Sequence, residues 1–194
     1  MKVVITGGTG FIGQRLAHRL LEAGRLTGPT GAPEEIDELV LFAQVAPEVR
    51  PPGRDERAVL RAGDIADRAA VRALIDRDDV SVFHLASVLS GGGEQDFDLA
   101  MRVNLDGGLN VLEACRRRAG RPRLVFASSI AAFGGSAMPA RVGDFTKQTP
   151  QTTYGTTKAI CEQLVNADTR KGFIDGRSAR LPTVIIRPGT NKDS

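Results

Sequence analysis

The chain contains a single tyrosine and no tryptophan, and that tyrosine sits in Thr153-Tyr154-Gly155-Thr156-Thr157-Lys158. Tyr154 and Lys158 are four residues apart, so a helix puts both on one face. A free phenol loses its proton near pH ~10, and a neighbouring ammonium favours phenolate and lowers that value. Such a pair can take the proton of a substrate hydroxyl while hydride leaves the same carbon. Alone, the spacing is equally that of an exposed tyrosine with a chance lysine. Upstream, Leu124-Val125-Phe126-Ala127-Ser128-Ser129 reads as a buried strand ending in two hydroxyls. At the carboxyl end of a parallel strand, Ser128 and Ser129 face the place where ligands bind. There a serine hydroxyl can hold a substrate oxygen, or two polar residues can simply cap a strand.

A second constellation opens the chain. Lys2 to Thr6 is a short β-branched run leading into Gly7-Gly8-Thr9-Gly10-Phe11-Ile12-Gly13. The spacing satisfies G-x-G-x-x-G through Gly8, Gly10 and Gly13, and a wider G-x-x-G-x-x-G through Gly7, Gly10 and Gly13. Glycines there permit a tight strand-to-helix turn and let the backbone approach a pyrophosphate at the helix N-terminus. The context of strand before and amphipathic helix after is the one that gives this pattern meaning. The next strand should end in Asp or Glu to hold the adenosine ribose hydroxyls. Here it ends Leu41-Phe42-Ala43-Gln44. Loss of that carboxylate removes a repulsion against a 2′-phosphate, so both NAD and NADP remain open. Arg50 and Arg54 follow in the next loop.

These groups need elements to position them. Strands are expected at 2–6, 38–42, 58–60, 80–86, 123–128 and 183–187, and helices at 11–21, 67–75, 96–118 and 153–168. Residues 24–35 and 46–56, rich in Gly and Pro, read as loops. The strands look apolar throughout and alternate with helices, which argues for a parallel sheet covered on both faces. Right-handed crossovers then give a doubly wound parallel sheet, a three-layer α/β/α Rossmann fold, in one domain spanning 1–194.

Composition excludes other classes. The chain has 194 residues and a mass of 20.7 kDa, enough for one domain with a full core. No apolar run approaches a membrane span, and the N-terminus lacks a signal-peptide pattern, which points to a cytoplasmic protein. Cys115 and Cys161, with His18 and His84, are too few and too scattered for a disulfide framework or a metal site. The net charge of +3 raises nucleic acid as a partner. The one basic cluster, Arg116-Arg117-Arg118 with Arg121 and Arg123, closes a helix, where cations are favoured. No aromatic residues interleave with it to stack bases, so neither nucleic acid nor membrane is expected as a partner.

Thr6-Gly7-x-x-Gly10-x-x-Gly13, Gly63-Asp64-Ile65, His84-Leu85-Ala86, Asn104, Ser128-Ser129, Tyr154-x-x-x-Lys158 and Arg187-Pro188-Gly189 together resemble the extended short-chain dehydrogenase/reductases, the NAD-dependent epimerase/dehydratase relatives. The resemblance implies that Gly7, Gly10, Phe11, Ile12 and Gly13 hold the pyrophosphate and that Asp64 and Ile65 flank adenine. It implies that Leu85, Ala86, Ser87, Asn104 and Pro188 belong to the cofactor site. Ser129, Tyr154 and Lys158 would be catalytic, with Tyr154 as acid/base and Lys158 also binding the nicotinamide ribose. Ser129 is the better match to the catalytic serine, since it stands four before Phe133-Gly134. Within the family, Gly31 to Phe42, Ser90-Gly91-Gly92 with Asp96 to Leu99, and Thr149 to Gly155 resemble a branch that oxidises the 2-hydroxyl of a four-carbon sugar acid with NAD. That implies substrate contacts from Ser90, Gly91, Ser129 and Tyr154. Epimerase or dehydratase chemistry on a nucleotide sugar, or dinucleotide binding without catalysis, uses the same residues. The resemblance also implies a homodimer through helices near 96–118 and 153–169. Family members are longer, so the chain is expected to carry the cofactor half and the catalytic residues without the C-terminal substrate domain.

Overall fold

A computed structural model describes residues 1–45 and 55–183. β1 (Lys2–Thr6) runs into α1 (Phe11–Ala23), then β2 (Arg25–Thr27), β3 (Pro33–Glu35), β4 (Glu38–Ala43), β5 (Ala58–Ala62), α2 (Arg68–Leu74) and β6 (Val80–His84). After these come α3 (Ser90–Gln95), α4 (Phe97–Ala100), a wide helical turn (Met101–Asp106), α5 (Gly107–Arg116), β7 (Arg123–Ser129), α6 (Thr153–Arg170) and β8 (Asp175–Leu181). Six strands form one parallel sheet in the order β5-β4-β1-β6-β7-β8. The order reverses between β1 and β6, and that switch point opens a crevice at the carboxyl ends of the strands.

Alternate side chains of β1 separate the core into two layers. Val4 faces a cluster with Val71, Val82, Val111, Phe126 and Val165, which packs α2, α5 and α6 on one face. Val3 and Ile5 face Ala17, Leu20, Leu39 and Leu41, which packs α1 on the other. Three layers result, the expected Rossmann arrangement. Val3, Val4 and Ile5 are all 0% exposed, because a strand covered on both faces has no polar side.

Several expectations are corrected. The segment 24–35 is no plain loop: β2 and β3 pair antiparallel as a hairpin. The helix expected at 96–118 begins at Phe97, ends at Arg116 and contains one wide turn, in which the Gly107 N–H reaches back five residues to Arg102 O. Three successive glycines lie in the unexpected helix α3. The sixth sheet strand is β8 at Asp175–Leu181, and Thr183 lies beyond it; the remainder of the expected 183–187 strand lies outside the described residues. β8 is polar and half-buried at the sheet edge, so it lacks the continuous apolar run that marks the inner strands. Among the described residues, no helix is long and apolar enough to cross a membrane.

Candidate active site

The crevice is a cleft of about 1200 Å³. One wall is the glycine turn between β1 and α1. Gly7 has φ +68°, a left-handed conformation that side chains rarely adopt. An added Cβ at Gly7 would lie 2.8 Å from Ala86 N, and one at Gly13 would lie 2.5 Å from Gly7 O. Backbone thus meets backbone where a dinucleotide's pyrophosphate would sit, and the first turn of α1 points N–H groups at it. Gly7, Gly10, Phe11, Ile12 and Gly13 all line the cleft. This cradle fits a dinucleotide on the shape of the chain itself.

The next wall is the end of β6. Thr6 Oγ accepts from Leu85 N (3.2 Å) and Ala86 N (3.3 Å), leaving its own proton for His84 Nδ1 at 2.7 Å. Burial and the nearby Lys158 charge push the His84 imidazole down to about 3, so it is neutral there. Asn104, from the wide turn, clamps the following residue: its Oδ1 accepts from Val88 N (2.7 Å) and its Nδ2 donates to Val88 O (3.0 Å). The Ser87 hydroxyl also donates to Asn104 Oδ1. A wide turn re-aims one side chain out of the helical repeat, and here that side chain fixes Leu85-Ala86-Ser87 along the cleft.

The catalytic candidates converge at the inner end. Ser129 ends β7, and its Oγ accepts from Ala131 N at 3.1 Å. Thr152 caps α6 by accepting from Gly155 N at 3.0 Å, which places Tyr154 in the first turn. Gly155 follows because any side chain there would run into Ala131 O; the bare backbone brings Tyr154 close to Ser129. Lys158 Nζ donates to Ala127 O at 2.8 Å and lies 5.3 Å from the Tyr154 ring centre and 4.8 Å from that of Phe126. Burial pushes Lys158 down to about 8. Burial also raises the Tyr154 phenol above its ordinary value, and the Ser129 hydroxyl opposes that rise. The expectation that Lys158 lowers the phenol is therefore corrected: desolvation dominates in this cleft, and Ser129 is the group pulling toward phenolate.

Leu85, Ala86, Ser87, Ser90, Ser129, Tyr154 and Lys158 line the cleft as expected. Gly91 and Asn104 do not line it. Asp64 and Ile65, at the turn after β5, also stand apart from it. The Asp64 carboxylate accepts from Ala66 N and is ion-paired with Arg102. Ile65 is buried against Gly107. Pro188 lies outside the described residues, as do Arg50 and Arg54. Both serines line the cleft, but Ser129 is the one within reach of the Tyr154 phenol, whereas Ser128 is 2% exposed and donates to Glu162. Sequence reasoning missed the loop residues Phe133, Met138, Val142 and Asp144, and the β8 end with Arg180, Leu181, Pro182 and Thr183, all of which line the cleft. No periodicity marks the loop. Placing the last strand earlier would have found Arg180-Leu181-Pro182-Thr183 at its carboxyl end.

Known proteins resemble this chain over nearly its whole length. A protein of Cupriavidus necator named D-erythronate dehydrogenase is 48% identical over 97% of this chain and is itself 57% covered. A Haemophilus influenzae protein of the same name is 43% identical over 97% of this chain, with 56% of it covered. The crystal structure of a protein described as a nucleoside-diphosphate-sugar epimerase from Agrobacterium tumefaciens superposes with TM-score 0.87 at 37% identity, over 100% of this chain and 56% of that one. The chain therefore spans little more than half the length of the relatives it matches. The model of the NAD dependent epimerase/dehydratase family matches residues 3–191. With the fold, the glycine cradle and the serine–tyrosine–lysine cluster in place, the chain belongs to the NAD dependent epimerase/dehydratase family.

Proposed function

We propose that this chain is the cofactor-binding and catalytic part of an NAD(P)-dependent oxidoreductase that removes hydride from the 2-hydroxyl carbon of a small sugar acid such as D-erythronate. The observation that carries this reading is the convergence of Ser129, Tyr154 and Lys158 at the inner end of a glycine-cradled cleft. When bound, the dinucleotide supplies a nicotinamide that accepts hydride. Gly7, Gly10, Phe11, Ile12 and Gly13 would hold its pyrophosphate, and Leu85 to Ser87 would run beside it. Ser129 donates a hydrogen bond to the substrate oxygen, and Tyr154 in its phenolate form takes the hydroxyl proton on Oη as general base, becoming the neutral phenol. Lys158, fixed by Ala127 O, keeps a positive charge beside the ring when protonated. Apolar walls from Ile130, Phe133, Met138 and Val142 limit water at the reacting carbon.

NAD is the proposed cofactor, and Ala43 leaves the pocket without the carboxylate that would reject NADP. We also propose a cytoplasmic homodimer. Phe97, Leu109 and Ile160 leave apolar surface exposed on helices α4, α5 and α6, which supports pairing through those helices. A second reading, a nucleotide-sugar epimerase or dehydratase, is favoured by the description of the Agrobacterium relative. That chemistry recycles its cofactor with no net reduction. A third is dinucleotide binding without turnover, which the same glycine cradle would support.

The test is nicotinamide absorbance with D-erythronate and NAD or NADP. Substrate-dependent reduction, abolished in Tyr154→Phe while calorimetric NAD binding persists, is the expected result. Unchanged turnover in Tyr154→Phe sinks the mechanism. Interconversion of a nucleotide sugar without net reduction favours the second reading, and binding without any turnover favours the third.

A further inference from the structure

One buried charge has no part in the mechanism above. Glu162 lies on α6 two turns beyond Tyr154 and one beyond Lys158, so the three project from one helix face. It is 2% exposed. Its carboxylate accepts from the Ser128 hydroxyl, from Arg180 Nε at 3.1 Å and Nη2 at 2.8 Å, and from Gln148 Nε2 at 2.8 Å.

Those donors come from three separate parts of the cleft wall. Ser128 precedes Ser129 at the end of β7. Arg180 stands opposite Ser128 in the β7–β8 register and precedes the cleft residues Leu181, Pro182 and Thr183. Gln148 belongs to the loop that brings Met138, Val142 and Asp144 to the cleft, and it accepts from Gln163 Nε2 at 3.0 Å. The Arg180 guanidinium also lies 4.7 Å above the Phe133 ring.

A buried ion pair is a poor source of stability, because desolvation offsets most of its attraction and an apolar pair of equal volume often does as well. It differs from an apolar contact in direction. Apolar surfaces tolerate sliding, whereas a carboxylate with several charge-assisted donors has one arrangement that satisfies them all. We propose that Glu162 is a positioning residue: by gathering Ser128, Arg180 and Gln148 onto α6, it holds the Ser129 hydroxyl against Tyr154. This rests on the catalytic reading of Ser129 and Tyr154, but its test needs no turnover, so the two can fail separately.

Tyr154 is the only tyrosine and there is no tryptophan, so phenolate absorbance in an alkaline titration reports this one ring. Ser129→Ala removes the hydroxyl that opposes the phenol's rise and should move its ionisation up by about half a pH unit or more. Glu162→Gln and Ser128→Ala should each reproduce at least half of that rise. Glu162→Gln with Ser129→Ala should equal Ser129→Ala alone, because the two act through one contact. The direction is diagnostic, since loss of a nearby negative charge by itself lowers a phenol's ionisation. A downward or absent shift in both Glu162→Gln and Ser128→Ala, or a double variant that adds the two shifts, overturns the proposal. If Glu162→Gln does not fold, Ser128→Ala with and without Ser129→Ala carries the same cycle using uncharged changes.

Discussion

Lys158→Met should change how the stability of this protein depends on pH. Lys158 is 3% exposed, and burial pushes its ammonium down to about 8. A free lysine titrates near ~10.4. The folded state therefore gives up its proton more readily than the unfolded chain. Between those two values the unfolded chain binds more protons, so stability rises with pH. Working through the linkage for these values, Lys158 costs about 3 kcal/mol at pH ~7 and under about 1 kcal/mol at pH ~10. Methionine keeps an unbranched side chain and removes the titration. It removes the donor that Lys158 gives Ala127 O, at a cost of about 1–3 kcal/mol that does not vary with pH. The quantity to follow is thus the stability gap between wild type and Lys158→Met, measured by urea unfolding followed by circular dichroism at several pH values. Taking the difference cancels Cys115, whose thiol is pushed up to about 12 by burial and which loses stability for the fold as pH rises; Cys161, pushed up to about 11, is coupled to the Lys158 charge and is replaced by alanine in both proteins. The gap should move in favour of wild type by about 2.5 kcal/mol from pH ~7 to pH ~10. A gap constant to within about 0.5 kcal/mol, or one moving the other way, refutes the buried charge.

Other expectations follow from single contacts. In Gly13→Val the new Cβ would meet Gly7 O at 2.5 Å and Gly8 Cα at 2.7 Å; NAD binding by calorimetry should weaken more than about tenfold, and unchanged affinity would show that the turn is no cradle. Asn104→Ala leaves the Val88 N–H and C=O without their side-chain partner; thermal unfolding should report a loss of about 2 kcal/mol, against no loss if solvent replaces the clamp. Ala43→Asp sets a carboxylate at the end of β4, and the ratio of NADP to NAD dissociation constants should rise at least about tenfold. An unmoved ratio there means that the adenosine ribose lies elsewhere.

The inner sheet was legible because a strand buried on both faces must be apolar at every position, as in Val3-Val4-Ile5 and Leu39-Val40-Leu41. The glycine turn and Tyr154/Lys158 were legible because their spacing has a mechanical consequence wherever the chain goes next. β8 was not, since Asp175-Gly176-Arg177-Ser178 satisfies its edge position with polar side chains paired to one neighbour only. Asn104 could be matched by its place on a helix, but its grip on Val88 depends on a wide turn that no helical period predicts. The i+8 position of Glu162 relative to Tyr154 was visible, yet its donors come from a strand end, another strand and a loop. The ionisation of Tyr154 ran opposite to expectation because burial is a tertiary property. Spacing places an ammonium near a phenol but says nothing of the water removed from both.

The most direct test of the account is a titration with NAD of protein carrying carbon-13 in its single tyrosine, followed by nuclear magnetic resonance of that one ring. If the glycine cradle leads a dinucleotide to Ser129, Tyr154 and Lys158, the Tyr154 ring signals shift and saturate at one NAD per chain. Calorimetric binding that leaves those signals unmoved, or no binding at all, contradicts it.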